Sequence, residues 1–258
     1  MGIKSVLINC TYQDNDDEIV AYIREFDLIF VRETLSRDEL TKLGVESKVV
    51  PDMSFFSEYK QNFKKPRNGT GVTDSVFINV SEELYCFAMK NNYSYLPALT
   101  DPFFLKGAFF NNLYKTARYY LFKLIKYFLW KLQIKLAHQN IRPFYYTKNY
   151  QDYIEKIAQL ELLVVARYHS LCFALKTNTP FVALKSNSHK IEGLLRDVGV
   201  NSLRISSMQE LINNKQKICP FSKIEQENIN SYVRDASAKI ENMFDEIAKL
   251  LQGEISCN

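Results

Sequence analysis

The sequence predicts an α/β fold built on parallel sheets, and three observations carry that expectation. Short apolar runs of strand length alternate with segments of helical period along much of the chain. Polar and charged residues gather where the apolar runs end: Arg32 and Glu33, Pro51 and Asp52, Arg167 to His169, Ser186 to Lys190. Serines, aspartates and glycines stand where such helices would start and stop.

Taken in order, residues 5–9 read as a buried first strand. The acidic stretch 14–17 opens a helix striped by Ile19, Ile23 and Phe26. Residues 27–31 form the next strand, ending at Arg32 and at Glu33, which is read as a partner for Arg32. Ser36 is placed as the cap of a helix over 37–43, with Glu39 at the capping-box position and Gly44 closing it. Residues 48–50 make a third strand, ended by Pro51 and Asp52. Residues 1–60 are therefore β-α-β-α-β, half of a parallel sheet and a first domain.

Residues 61–73, opening QNFKKPRNGTG, are basic and turn-rich and read as an interdomain linker; the second domain is 74–258. In it, residues 74–80 read as a strand, Ser81 as a helix cap with Glu82 and Glu83 at the dipole's positive end, and 95–97 as a short strand.

Residues 103–136 stand apart. From Pro102 to Gln151 there is no Asp or Glu. On a helical wheel Lys115, Arg118, Lys123 and Lys126 share one arc, and Leu113, Ala117, Leu121, Leu124, Phe128 and Leu132 the opposite one. A basic, aromatic, amphipathic helix matches either a membrane-surface helix or a helix laid on the sheet. It does not span a bilayer, because Lys recurs every few residues and spanning takes about 18 or more apolar ones.

Residues 162–200 organise the rest: strand 162–165, then Arg167, Tyr168 and His169, then a helix with Leu171, Ala174 and Leu175 on one face. A second strand, 180–184, leads to Ser186, Asn187, Ser188, His189 and Lys190 and a helix over 191–197, stopped at Gly199. In a parallel sheet both polar clusters then lie side by side at the crevice formed by strand carboxyl ends, next to helix N-termini that favour an anion. Beyond them come a short strand at 203–205, a cap at Ser206 or Ser207, and a long helix over 225–251 with Ile229, Val233, Ile240, Phe244, Ile247 and Leu251.

With 258 residues and a net charge of +4, composition gives no argument for nucleic acid. The five cysteines are scattered, with no CxxC or Cys/His ligand spacing, which indicates neither a disulfide framework nor a zinc site. The first ten residues lack a signal peptide's apolar core, so a reducing, cytoplasmic setting is expected. No Gly-rich phosphate loop or metal-ligand cluster appears, and a metal-independent reaction is expected.

Two separated motifs resemble the polysaccharide pyruvyl transferase family. One is the strand ending in Arg167-Tyr168-His169, with Ala174, the Thr179-Pro180 turn and Lys190 opening a helix. The other runs from Val31 to Phe55, VRETLSRDELTKLGVESKVVPDMSF. The resemblance implies a GT-B-like pair of facing Rossmann-like domains. Against the family the N-terminal domain looks shortened, lacking an earlier Gly-rich strand–loop. It also implies that the terminal helix crosses back to that domain.

The activity implied is transfer of the enolpyruvyl unit of phosphoenolpyruvate onto two hydroxyls of a sugar, giving a ketal on a surface polysaccharide (capsule or exopolysaccharide) or its lipid-linked precursor. Phosphoenolpyruvate is then a donor substrate and no cofactor is expected. The chemistry of the side chains suits it. Arg167 offers a fork for phosphate or carboxylate, Lys190 a point charge for phosphate, and His169 a proton near neutral pH. Arg32 is the matching cation of the first domain, Asp52 a base or hydroxyl-orienting group, and Ser186 and Asn187 hydrogen-bond donor oxygens. His189 and His138 read as surface residues. Two alternatives stay open: a GT-B-like glycosyltransferase using a nucleotide-activated sugar, and a non-catalytic partner in glycan assembly that meets an anionic membrane surface through residues 103–136.

Overall fold

A computed structural model describes residues 3–56, 66–98, 113–137, 147, 149–213 and 219–253. Two sheets form among them, and every strand pair is parallel. The first holds β1 (Val6–Cys10), β2 (Leu28–Val31) and β3 (Lys48–Val49) in that order. The second holds β4 (Thr70–Thr73), β5 (Ser94–Leu96), β6 (Leu162–Val165), β7 (Phe181–Leu184) and β8 (Ile205–Ser206), in the spatial order β5-β4-β6-β7-β8. Parallel neighbours need crossovers, which α1 (Asp17–Ile23), α2 (Thr34–Lys42), α3 (Ile78–Lys90), α6 (Tyr168–Lys176) and α7 (Lys190–Val198) supply.

β6 and β7 are apolar throughout because both faces are covered. Leu163, Val165, Phe181 and Ala183 face a core shared with α6, α7 and α9 (Lys223–Gln252). Val164, Val182 and Leu184 face the opposite core with Leu84 and Tyr95. The first core also takes in Phe30, Val50 and Phe55, so apolar packing runs unbroken from the first sheet to the second.

The terminal helix makes the same connection. Lys48 Nζ lies 2.6 Å from Glu246 Oε2, and the Phe55 and Tyr232 rings meet edge-on at 5.4 Å. Its start is anchored by Arg204, whose guanidinium binds both Glu225 oxygens at 2.8 and 2.9 Å and the carbonyls of Phe181, Cys219 and Pro220. The buried apolar positions of α9 are Ile229, Ala236, Ile240, Met243 and Leu250. Phe244 and Leu251, expected in its apolar stripe, are exposed.

Four local expectations are corrected. The strand expected at 74–80 is β4, Thr70–Thr73, inside the expected linker, of which 61–65 lies outside the described residues. Gly71 makes that position possible: a Cβ there would stand 2.4 Å from Leu160 Cδ1. Val76, Phe77 and Ile78, which made the later stretch look like a strand, are exposed, and Ser81 lies within α3. Ser36 does not cap α2; Glu33 does, accepting from the Ser36 amide at 2.9 Å. Glu33 is thereby committed to α2, and no hydrogen bond or ion pair joins it to Arg32.

Of the basic helix expected over 103–136, residues 103–112 lie outside the described residues, and the rest is α4, Leu113–Ala137. Leu113, Leu121, Leu124, Ile125 and Phe128 are all exposed, so this part of its apolar stripe is not laid on a sheet. α5 (Tyr150–Ala158), capped by Asn149, and α8 (Met208–Ile212), with a Ser207/Glu210 capping box, complete the described α-helices.

Candidate functional site

The carboxyl ends of the two sheets meet, and the side chains that follow the strands form one cluster. Arg32 follows β2. Its Nη1 lies 3.1 Å from Asp52 Oδ2, and its Nη2 donates to Thr11 Oγ1 at 2.8 Å, just beyond β1. Its Cζ sits 4.4 Å from the centroid of the Tyr168 ring, which belongs to the other sheet's first turn of α6. Arg32 Nε is buried without a hydrogen-bond partner among the described residues. A buried donor left over in this way costs free energy until something accepts from it.

Asp52 is nearly inaccessible. One oxygen accepts from the Ser54 amide at 2.9 Å and so caps the turn Met53–Phe55. The other faces Arg32, and also His169 Nε2 at 3.7 Å. His169 itself is 63% exposed, so its ring meets solvent on the side away from Asp52. Tyr168 is buried, and burial pushes its phenol well above the ordinary tyrosine range; it is a neutral platform for the guanidinium.

Lys190 opens α7. Its Nζ donates to Asn187 Oδ1 at 3.3 Å, and Ser186 Oγ donates to the same oxygen at 3.1 Å. The lysine is pushed below its usual range, first by burial and then by the charge of Arg32. Arg32 and Lys190, brought from different sheets, thus sense each other, with Asp52 the carboxylate bound to Arg32.

Arg167 is placed differently from the expectation. Its fork is already engaged: Nε and Nη2 bind the two oxygens of Asp74 at 2.7 and 2.5 Å, and Nη2 also reaches Ser75 O at 3.1 Å. Asp74, just beyond β4, was not singled out from sequence. The pair locks the ends of β4 and β6 together and receives the Ala98 amide. A carboxylate followed by an exposed apolar stretch offers no local signal of such a partner.

His189 is not a surface residue either. It is largely buried, with Nδ1 3.2 Å from Glu39 Oε1, and with Nε2 3.6 Å from Glu33 Oε1 and 3.3 Å from Ser36 Oγ. Its amide donates to Gln13 Oε1 at 2.6 Å. The Ser36–His189–Glu39 order mimics a hydrolytic triad, but Ser36 is fully buried and its hydroxyl donates to Glu33. With no reachable nucleophile, the group is a tie between α2 and α7. His138 lies outside the described residues.

The family model described as Polysaccharide pyruvyl transferase matches residues 1–188, which include Arg32, Asp52, Arg167 and His169. The chain belongs to that family. No curated protein matches it by sequence. Among solved structures it is similar to a mutant of S. aureus TarM in complex with Fondaparinux, alpha-GlcNAc-glycerol and UDP (12% identity, TM-score 0.49, covering 94% of this chain and 50% of that one). It is also similar to TarM (15% identity, TM-score 0.47, covering 93% and 50%). The chain spans about half the length of these structures.

In this polysaccharide pyruvyl transferase family member the matched segment ends just short of His189 and Lys190. Tyr168 and Thr11 are the residues of the cluster that sequence reasoning passed over. Tyr168 stood in plain view between Arg167 and His169, but its role depends on the first sheet.

Proposed function

We propose that this chain transfers the enolpyruvyl unit of phosphoenolpyruvate to a glycan, forming a ketal on a surface polysaccharide or its lipid-linked precursor. The observation that carries this reading is the strand-end cluster in which Arg32 is bound to Asp52 and stacked on Tyr168 and exposed His169 faces the same Asp52, with Lys190 close enough to be lowered by the charge of Arg32. A small dianion or trianion matches it. The two sheets would act as two facing halves, with the donor between them.

The donor carries a carboxylate and a phosphate, and the cluster supplies one cation for each. Arg32 is held by Asp52, Thr11 and the Tyr168 ring and offers its fixed positive charge to the carboxylate. Lys190 suits the phosphate, with Ser186 and Asn187 at its side. His169 donates a proton to the donor's methylene carbon as a sugar hydroxyl adds to the neighbouring carbon. Phosphate then leaves with its bridging oxygen, and a second hydroxyl of the sugar closes the ring. Of the two hydroxyl protons, one ends on the new methyl group and the other on phosphate.

Asp52 faces His169 Nε2 and is too buried to reach a sugar; it positions His169 and Arg32 rather than acting as a base on the acceptor. Arg167, tied to Asp74, shapes the β6–α6 corner that carries His169. No step is routed through a metal or cofactor.

The test is a melting shift with phosphoenolpyruvate against cytidine, uridine and guanosine nucleotides, followed by phosphate release with candidate acceptors. A bound ligand raises the melting temperature with its excess over Kd. A shift with phosphoenolpyruvate, lost in Arg32→Ala and Lys190→Ala, is the expected result. A shift with one nucleotide instead would overturn it in favour of glycosyl transfer.

A further inference from the structure

We propose that α4 is a docking surface for an anionic lipid bilayer, on which it lies flat. Leu121, Leu124, Ile125 and Phe128 follow the spacing that puts four side chains on one face of a helix, and all four are exposed, from 43% to 62%. Leu113 and Tyr114 extend the exposed surface toward the N-terminus. Water is a poor environment for such a stripe, and a contiguous apolar face of this kind marks a contact surface.

The charge of the helix selects its occupant. α4 contains six basic residues and no acidic one. Lys115 and Arg118 are exposed, with Arg118 Cζ 5.6 Å from the Phe122 ring. A second copy of the same helix would bring like charges together along the whole contact, which disfavours self-pairing. A surface of anionic headgroups over acyl chains satisfies both features at once: the apolar stripe enters the headgroup boundary and the cations meet phosphates. No helix among the described residues is long and apolar enough to cross a membrane, so this is contact along the surface. This inference does not depend on the identity of the donor.

The test is co-flotation of the intact chain with vesicles of phosphatidylcholine, with and without phosphatidylglycerol, at low and near-physiological salt. Binding to the phosphatidylglycerol vesicles should be at least about 10-fold tighter than to the neutral ones and should weaken with salt. Leu121→Glu/Leu124→Glu should abolish it with the melting temperature unchanged, because both residues are already exposed. Lys115→Glu/Arg118→Glu should weaken it about 10-fold or more. Equal binding to neutral vesicles would overturn the proposal, as would failure to float with either. Self-association that Leu121→Glu/Leu124→Glu disperses, without vesicle binding, would make a second copy the occupant and overturn it too.

Discussion

Arg32 stacks on Tyr168, guanidinium carbon to ring centroid 4.4 Å, and by that contact the end of a strand in the first sheet meets the first turn of a helix from the second. Asp52, Thr11 and Tyr168 fix three sides of the guanidinium. The arrangement holds a positive charge in place before any anion arrives.

His169 is exposed and makes few structural contacts. His169→Ala should lower turnover by about 100-fold or more, as expected for loss of a proton donor. Its melting temperature should match the wild type, read by calorimetry alongside the phosphate-release assay. Full turnover in this variant would remove His169 from the reaction.

Lys190 is held below its usual range by burial and by Arg32. An incoming anion favours the charged form and raises that value again. Donor affinity should therefore be strongest where Lys190 is protonated and fall as pH rises through its lowered range. Lys190→Ala should weaken donor binding by about 10-fold to 100-fold, the worth of a charge-assisted hydrogen bond, and erase this alkaline decline. Titrations by calorimetry across pH would show both effects.

Arg167 and Asp74 should behave as a structural pair. Asp74→Ala leaves a partly buried guanidinium without its carboxylate and should cost about 3 kcal/mol or more, seen in urea unfolding. Arg167→Met/Asp74→Leu should recover much of that loss. Recovery of stability without recovery of activity would show that Arg167 also touches the donor.

Gly193 sits in α7 where a Cβ would come 2.6 Å from Glu33 Oε2. Glu33 is fully buried and bound to Ser36, so it has nowhere to retreat. Alanine usually improves a helix by up to about 1 kcal/mol over glycine. Here Gly193→Ala should instead destabilise by about 1–3 kcal/mol through overpacking, measured by thermal unfolding.

Glu225 is drawn down to about 2, chiefly by its hydrogen bonds from Arg204. A carboxyl lowered on folding contributes stability that is complete above its unfolded value and is lost as pH falls from there toward about 2. Glu225→Gln should flatten the acid limb of the stability–pH curve below about 4.5.

The α/β class, the parallel order of the strands and the positions of Arg32, Asp52, His169 and Lys190 at strand ends were legible in the sequence. Apolar runs buried on two faces and helix stop signals are local, and β6, β7 and the Gly199 stop at +73° in φ follow from them directly. The same holds for α4, whose charge and period are written in consecutive residues. What the tertiary structure alone decided is which side chain meets which. Asp74 consumes the fork of Arg167, Tyr168 carries Arg32, and His189 disappears between Glu33 and Glu39. Each of these contacts joins residues 93 or more positions apart. Sequence period governs which face of an element is apolar, whereas pairing of charges across two sheets depends on how closely those faces pack. Small residues such as Gly71 and Gly193 set that approach only once the whole core is assembled.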